Sequence, residues 1–507
     1  MEDVSIMKEF FAKYKKMIVV LVAIILLAGI AFGSYTAYQR YTEYHATYIV
    51  IDEVEYLRSS TSLDLSGKTV TELDKLKELT GLQELDLRNT GLTPAQYENL
   101  HDALPGCRIH WSVPFQDGFV DNEAAGIKID HLAESDLDTL EHLPYLTAVY
   151  ADGCEDYDML QLLAARYPDL TISYNVSLGG REYYNTINTL TVTDPDVTEL
   201  MEDLALLPAV KTVTLNGTLP SNDELMKLRE AYPEITFVWD FEVFGIPVNT
   251  LTEFIDLSGM TFESVEEVEA ILPYFYNLTK VDMVKCGFSN EEMDALNKRH
   301  RDTKFVWTVN VCGVTLRTDA TYFMPVKYKL TGISKAAMTN LKYCTDMLAI
   351  DLGHYGVHNV DYVEYMPNLE FLLLCECYIS DLTAIGKCTS LKVLELFMNN
   401  VSDFWPLVNL TNLEDLNLAQ TPEVKKSPHE RGAFGDTQPL KQMVWLDRLW
   451  VSSTSIGKAA RADLEESLPD TVVVNGGANL DCTGRGWRMS PNYFEMRDVV
   501  GMWYMAH

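Results

Sequence analysis

The sequence predicts an α/β solenoid: a horseshoe with a parallel sheet on its concave face, preceded by one transmembrane helix. Three observations predict it. A short leucine phrase returns at a fixed interval, capped amphipathic helices fall between its occurrences, and one uncharged apolar run stands near the N-terminus.

The apolar run comes first. Met17–Phe32, MIVVLVAIILLAGIAF, carries no charge, and its apolar character fades over Gly33–Tyr38. About 20 residues rising 1.5 Å each match a hydrocarbon core of about 30 Å. Lys8, Lys13, Lys15 and Lys16 precede the run and only Arg40 follows closely. That asymmetry makes residues 1–16 cytoplasmic, residues 17–36 a signal-anchor, and the bulk of the chain extracellular. A cleaved signal peptide, with Ala31 and Gly33 before the cut, is the competing reading. The sixteen residues ahead of the run and the poor cleavage site favour the uncleaved anchor. Residues 37–60 read as a linker and N-terminal cap.

Composition narrows the class. At 507 residues the chain is too long for one compact core, and 47% hydrophobic content excludes a disordered polyampholyte. The first forty residues hold five of the 40 basic and three of the 74 acidic side chains. The remainder carries 35 against 71, a formal charge of −36. Such a surface repels nucleic acid and anionic lipid. Nine cysteines, an odd number without clustered spacing, form no disulfide framework. An exported yet thiol-rich chain points to a bacterial cell surface. Asn175, Asn216, Asn277, Asn400 and Asn409 head Asn-X-Ser/Thr triplets that would matter only in a eukaryote.

The repeats are the strongest signal. Met347-Leu-Ala-Ile-Asp-Leu352, Leu369-Glu-Phe-Leu-Leu-Leu374, Leu391-Lys-Val-Leu-Glu-Leu396 and Leu413-Glu-Asp-Leu-Asn-Leu418 start 22 residues apart. The pattern L-x-x-L-x-L-x-x-N/C-x-L is that of a leucine-rich repeat. Earlier the phrase recurs at Leu82, Leu146, Val210 and Leu278, spaced by 64, 64 and 68 residues. Each long unit adds a leading strand such as Leu63-Asp-Leu65 and a trailing aromatic one such as Ile109-His-Trp111. A long unit is therefore about three solenoid turns. Capping boxes at Ser221/Glu224, Ser264/Glu267 and Ser289/Glu292, with Thr93-Pro94 opening another helix, place α-helices on the outer side. Segments after the aromatic strands, such as Trp307–Leu316, read either as hairpins or as further turns. The domains expected are residues 61–320 for the long-period repeats, 321–420 for the 22-residue repeats, 421–445 for a loop insertion, and 446–507 for the last turns and an aromatic C-terminal cap.

The stretch ISDLTAIGKCTSLKVLELFMNNVSDFWPLVNLTNLEDLNL resembles the 22-residue repeats of bacterial internalin-type surface proteins. The resemblance covers about a hundred residues well. It implies a concave sheet that holds another protein. The chain departs from internalins in lacking a C-terminal LPxTG signal and in having an N-terminal anchor.

Counted from the first leucine, positions 4 and 6 point into the core, while 3, 5, 7 and 8 face the concave side. Position 3 gives Ala349, Phe371, Val393, Asp415 and Arg448; position 5 gives Asp351, Leu373, Glu395, Asn417 and Trp450. The expected protein-binding patch comprises Phe371, Leu373, Val393, Phe397 and Met398, with acidic Asp351 and Glu395 beside it and Trp450 beyond. A covering loop from the same chain is the alternative. Thr421–Lys441, with Lys425, Lys426 and Arg431, is the segment nominated for it, and an ordinary solvated loop is the competing reading of that segment. The aromatic end, with Ser490 as N-cap and Pro491 at the first helical position, reads as a helix closing the open end of the core.

No HExxH, GxSxG or Walker loop is present. Ser455-Ile-Gly-Lys458 lacks the companion motifs of penicillin-binding proteins. His354 and His358 have zinc-like spacing but lie in a loop around Gly356, and Asp152–Asp158 lacks the EF-hand order. Cys375, at position 7, and Cys377, at position 9, are expected to diverge. No catalytic residue, metal or cofactor is expected. The predicted function is a membrane-anchored binding module for a protein partner. The alternative is an envelope enzyme or accessory acting on wall polymer, which the repeats filling residues 61–475 disfavour.

Overall fold

The computed structural model describes residues 2–422, 433–476 and 486–501, in two compact units, Met1–Phe237 and Val238–His507. Both units are built of leucine-rich repeats.

In the first unit one helix, Glu2–Thr47, runs through the whole apolar segment, whose mean hydropathy reaches 2.8 over 18 residues. Its apolar side chains are exposed along their length. The helix leads into a hairpin, Tyr48–Ile51 with Val54–Leu57, turned by Asp52 and Glu53 at φ 43° and 66°. This hairpin is tied to the first repeat, since Lys75 Nζ donates to the Val50 carbonyl at 2.9 Å and Thr71 N to Asp52 at 3.0 Å. Parallel strands then form in register, Leu63 beside Leu85 beside Ile109, and Ile127 beside Val149 beside Ile172.

The ambiguity after each aromatic strand resolves as a hairpin. Arg108–Phe115 pairs antiparallel with Gly118–Asp121, and Thr171–Leu178 with Arg181–Tyr184. In the second unit Asp240–Val243 pairs with Ile246–Asn249, and Thr308–Val311 with Val314–Arg317. Two-residue turns with both φ values positive, at Gly179-Gly180, Phe244-Gly245 and Cys312-Gly313, match the right-handed twist of the strands they join. A buried polar residue closes each hairpin. Asn122 accepts from Trp111 N at 3.0 Å and donates to the Ile109 carbonyl at 2.9 Å. Asn185 repeats this on Tyr174 and Ile172, and Thr318 accepts from Trp307 N at 3.1 Å.

The helices follow their caps. Thr93/Gln96, Ser221/Glu224 and Ser289/Glu292 form reciprocal boxes on ten-residue helices. Ser264 does not: its N–H reaches Glu267 at 3.1 Å, but the helix there is only Glu266–Glu269 and takes no side-chain cap.

The second unit continues into a seven-stranded parallel sheet of short strands. Five of them are Ala349–Asp351, Phe371–Leu373, Val393–Glu395, Asp415–Asn417 and Arg448–Trp450, flanked by Tyr322–Phe323 and Val472–Val474. Register is exact to the repeat: Ile350, Leu372, Leu394, Leu416 and Leu449 are direct partners. They join the leucines of position 6 in one core. A 22-residue turn leaves room for only a tight 3₁₀ segment on its outer side, as at Asp361–Tyr365 and Trp405–Asn409. Position 9 turns inward and satisfies the neighbouring backbone. Cys377 Sγ lies 3.0 Å from the Leu352 carbonyl, Asn399 Nδ2 2.7 Å from that of Leu374, and Thr421 Oγ1 2.8 Å from that of Leu396.

One expectation about the end of the chain is corrected, and another falls partly outside the described residues. Lys425, Lys426 and Arg431 lie outside the described residues. The described remainder of that insertion buries Leu440 and Met443 in the leucine core, and Phe434 packs on Phe404 at 5.3 Å. Leu440 and Met443 therefore face the core, while Asp436, Gln438 and Val444 of the same stretch are exposed. The aromatic helix, Pro491–Val499, lies instead along the concave face of the sheet. Met496 and Val500 share one apolar cluster with Ala349, Phe371, Val393 and Trp450. Trp503 and Tyr504 lie outside the described residues. The physical reason is that the concave column was itself the larger unpaired apolar surface, and an amphipathic helix buries its stripe wherever such a surface is offered.

Candidate functional site

The covering segment is anchored along its length. Ser490 Oγ accepts from Tyr493 N at 3.2 Å as N-cap, with Pro491 at the first helical position and Gly501 left-handed beyond the end at φ 61°. Asn492 donates to Glu414 at 2.9 Å, Lys392 pairs with Glu495 at 3.1 Å, and Lys327 Nζ donates to the Val500 carbonyl. A lysine at that end also opposes the helix dipole.

The cover is incomplete, and what it leaves open is a cavity of about 500 Å³. Its floor is the sheet, through Asp351, Leu373, Glu395, Asn417 and Trp450 of position 5 and Cys375 and Phe397 of position 7. Trp487, Arg488 and Tyr493 of the returning segment form the opposite wall. Gly353, at position 7 of its repeat, keeps the Asp351 carboxylate uncovered; a Cβ there would stand 3.2 Å from Asp351 Oδ1. The volume is that of a small-molecule or side-chain pocket.

The eight residues expected at a binding patch therefore divide. Asp351, Leu373, Glu395, Phe397 and Trp450 line the cavity. Phe371 and Val393 are 0% exposed beneath the C-terminal helix, so they do not form the open surface expected of them. Leu373 and Trp450, each 3% exposed, present only an edge. Met398 is half-buried at a left-handed corner, φ 53°, away from the cavity lining. Arg488, Tyr493 and Trp487 were not expected in the site, because nothing in a repeat pattern says where a segment beyond it returns.

The electrostatics follow from burial. Asp351 accepts from Gly353 N at 2.9 Å, yet burial pushes its carboxyl above the ordinary aspartate range, against the opposing pull of Arg488. Burial pushes the Tyr493 hydroxyl up to about 12. Burial, helped by Glu395 and Glu376, also raises the Cys375 thiol. The neighbouring Cys377 is pushed up to about 12 by burial and faces the core, so the two thiols diverge as expected.

At one rim of the cavity Cys375 meets a residue of the preceding repeat. Its Sγ lies 3.8 Å from His354 Nε2, and His354 Nδ1 lies 3.1 Å from Glu376 Oε2. One donor atom from each of the three falls within 4.8 Å of the others. His358, the other half of the zinc-like spacing, is not part of this group; its ring stacks on Tyr378 at 5.3 Å.

No protein-family model matches the chain. Leucine-rich repeat-containing protein 56 is 32% identical in Rattus norvegicus and 33% identical in Homo sapiens, each over 94 residues. Those matches take in 15% of this chain and span 17% of the length of either relative. Among solved structures, internalin C2 of Listeria monocytogenes is 19% identical, covering 30% of this chain and 70% of that one, with a TM-score of 0.23. An internalin (inlF) of the same organism is 15% identical over 84% and 91% of the two chains, with a TM-score of 0.24. A leucine-rich repeat protein of Leptospira interrogans is 14% identical over 82% and 96%, with a TM-score of 0.22.

Proposed function

We propose that this leucine-rich repeat chain is a membrane-tethered binding protein that holds a protein partner outside the cytoplasm through the concave cavity of its second unit. The observation that carries the proposal is the cavity itself, in which two carboxylates, Asp351 and Glu395, outnumber the single arginine Arg488 of the lining and stand among Phe397, Trp450, Trp487 and Tyr493. Acidic groups flanked by aromatic faces suit a basic side chain, which gains from both the charge and the rings. The partner therefore presents a lysine or arginine on a projecting segment. The net charge of −34 works in the same direction by steering basic partners toward the array. Tethering is supported by the exposed apolar helix Glu2–Thr47 and the lysines that precede its uncharged run.

The test is site-specific photo-crosslinking in intact cells from a photoreactive residue at Phe397, compared with the same protein carrying Glu395→Lys. Capture of one defined partner that Glu395→Lys abolishes, with the melting temperature retained, is the expected result. An identical crosslinking pattern in both proteins removes the cavity as the binding site. Thiol labelling of an introduced surface cysteine by an impermeant reagent reports separately which side of the membrane the repeats occupy.

A further inference from the structure

We propose that His354, Cys375 and Glu376 form a site for a zinc-class divalent cation at the rim of the cavity. The proposal stands apart from the partner reading, because it rests on the three donors and their setting and on no partner.

The donor set is of the right chemistry. A thiol, an imidazole and a carboxylate are the three protein ligand types that zinc takes, and three protein ligands leave a fourth position open. The spacing agrees as well. Zinc–sulfur and zinc–nitrogen bonds of about 2.3 and 2.0 Å at a tetrahedral angle hold their donors about 3.5 Å apart. Cys375 Sγ stands 3.8 Å from His354 Nε2 and Glu376 Oε2 3.1 Å from His354 Nδ1, and one donor atom from each residue falls within 4.8 Å of the other two.

The site is also built on rigid backbone. His354 and Glu376 occupy the same corner of successive repeats, both left-handed, at φ 67° and 54°. Each corner is locked to the next strand, His354 N donating to the Cys375 carbonyl at 2.7 Å and Glu376 N to that of Phe397 at 2.9 Å. Stacking at the 22-residue period thus brings together donors that are 21 and 22 positions apart in the chain. His354 and Cys375 both line the cavity, so the fourth position opens toward it. Asp351 and Glu395 line the same cavity and, against Arg488 of the opposite wall, leave negative charge in excess beside the thiol. Binding releases the thiol proton to solvent and leaves a thiolate on the metal.

The experiment is titration of the full-length protein, reduced and in detergent micelles, with Co(II) as a spectroscopic stand-in, followed by displacement with Zn(II). One equivalent of Co(II) should give a thiolate-to-metal charge-transfer band that Zn(II) removes. Cys375→Ser should abolish the band and Cys312→Ser should keep it. His354→Ala and Glu376→Gln should each weaken affinity about tenfold or more. Absence of the band, or a band that survives in Cys375→Ser, overturns the proposal. If Cys375→Ser does not fold, the variant at exposed His354 decides the matter: unchanged affinity there overturns the site.

Discussion

Trp450, on the sheet, and Trp487, in the returning C-terminal segment, meet edge to face with ring centroids 5.0 Å apart and planes at 86°. The pair joins the repeat array to the segment that covers it and forms one side of the cavity. Replacing Trp487 by alanine should cost about 3–5 kcal/mol in urea unfolding, because a buried ring is lost from the concave cluster. A double-mutant cycle with Trp450→Ala should return a coupling of about 0.5–1.5 kcal/mol. Additive losses would mean that the two rings do not depend on one another.

The inward ladder of position 9 gives a second expectation. Asn399 donates to the Leu374 carbonyl and accepts from Ile379 N at 2.8 Å, both fully buried. Asn399→Ala leaves these groups without a partner and should lower stability by about 1–3 kcal/mol for each. Cys377→Asn should be tolerated better than Cys377→Ala, because asparagine can reach the same backbone from the same place. Thermal melts are the check, with Asn399→Ala expected below the parent protein and Cys377→Asn above Cys377→Ala.

Asp351 makes stability depend on pH in a direction opposite to that of a paired carboxylate. Its folded pKa is raised by burial, so the native state keeps a proton that the unfolded chain releases above about pH 3.9. Stability therefore falls as pH rises from there through the folded value, and below the unfolded value the penalty vanishes. Asp351→Asn keeps the acceptor for Gly353 N and loses the charge. It should be the more stable protein at neutral pH and lose that advantage near pH 4 or below. An advantage that did not change with pH would assign the effect to packing.

Asp415 is fully buried and its carboxylate receives Arg448 Nε at 2.8 Å. Burial still outweighs the guanidinium and holds the Asp415 carboxyl above its ordinary range. Arg448→Met should cost about 3–5 kcal/mol, toward the lower end because Arg448 is partly exposed. Asp415→Asn in that background should restore a good part of the loss. Failure of the second substitution to rescue would show that the arginine acts through its alkyl packing.

Much of this was legible because a repeat writes its geometry in its spacing. The phrase at Leu369, Leu391 and Leu413 predicted which side chains face the core, and Leu372, Leu394 and Leu416 are there. The same spacing named five of the residues that line the cavity. It did not say that Phe371 and Val393 would be covered, since an apolar column looks the same whether a partner or the chain's own tail lies on it. The aromatic stripe at Tyr493 and Met496 announced a helix with something to bury and left the surface unspecified. The meeting of His354 with Cys375 could have been read from the period, because residues one repeat apart stack side by side. Reading each loop along the chain hid it. The hairpin closures at Asn122, Asn185 and Thr318 were missed for a different reason: an isolated polar residue carries no mark of being buried until its strand is paired.

The helix laid across the concave sheet changes how this array must come apart. Repeat proteins unravel from their ends because each turn touches only its neighbours, and their stability is a sum of local terms. Here one cluster takes residues from turns as distant as those of Met324 and Val474 and ties them through Trp487, Met496 and Val500. A crossbar of this kind couples turns that are not adjacent. The second unit should therefore melt as a block, and a lesion in any one turn should be felt by all of those beneath the bar.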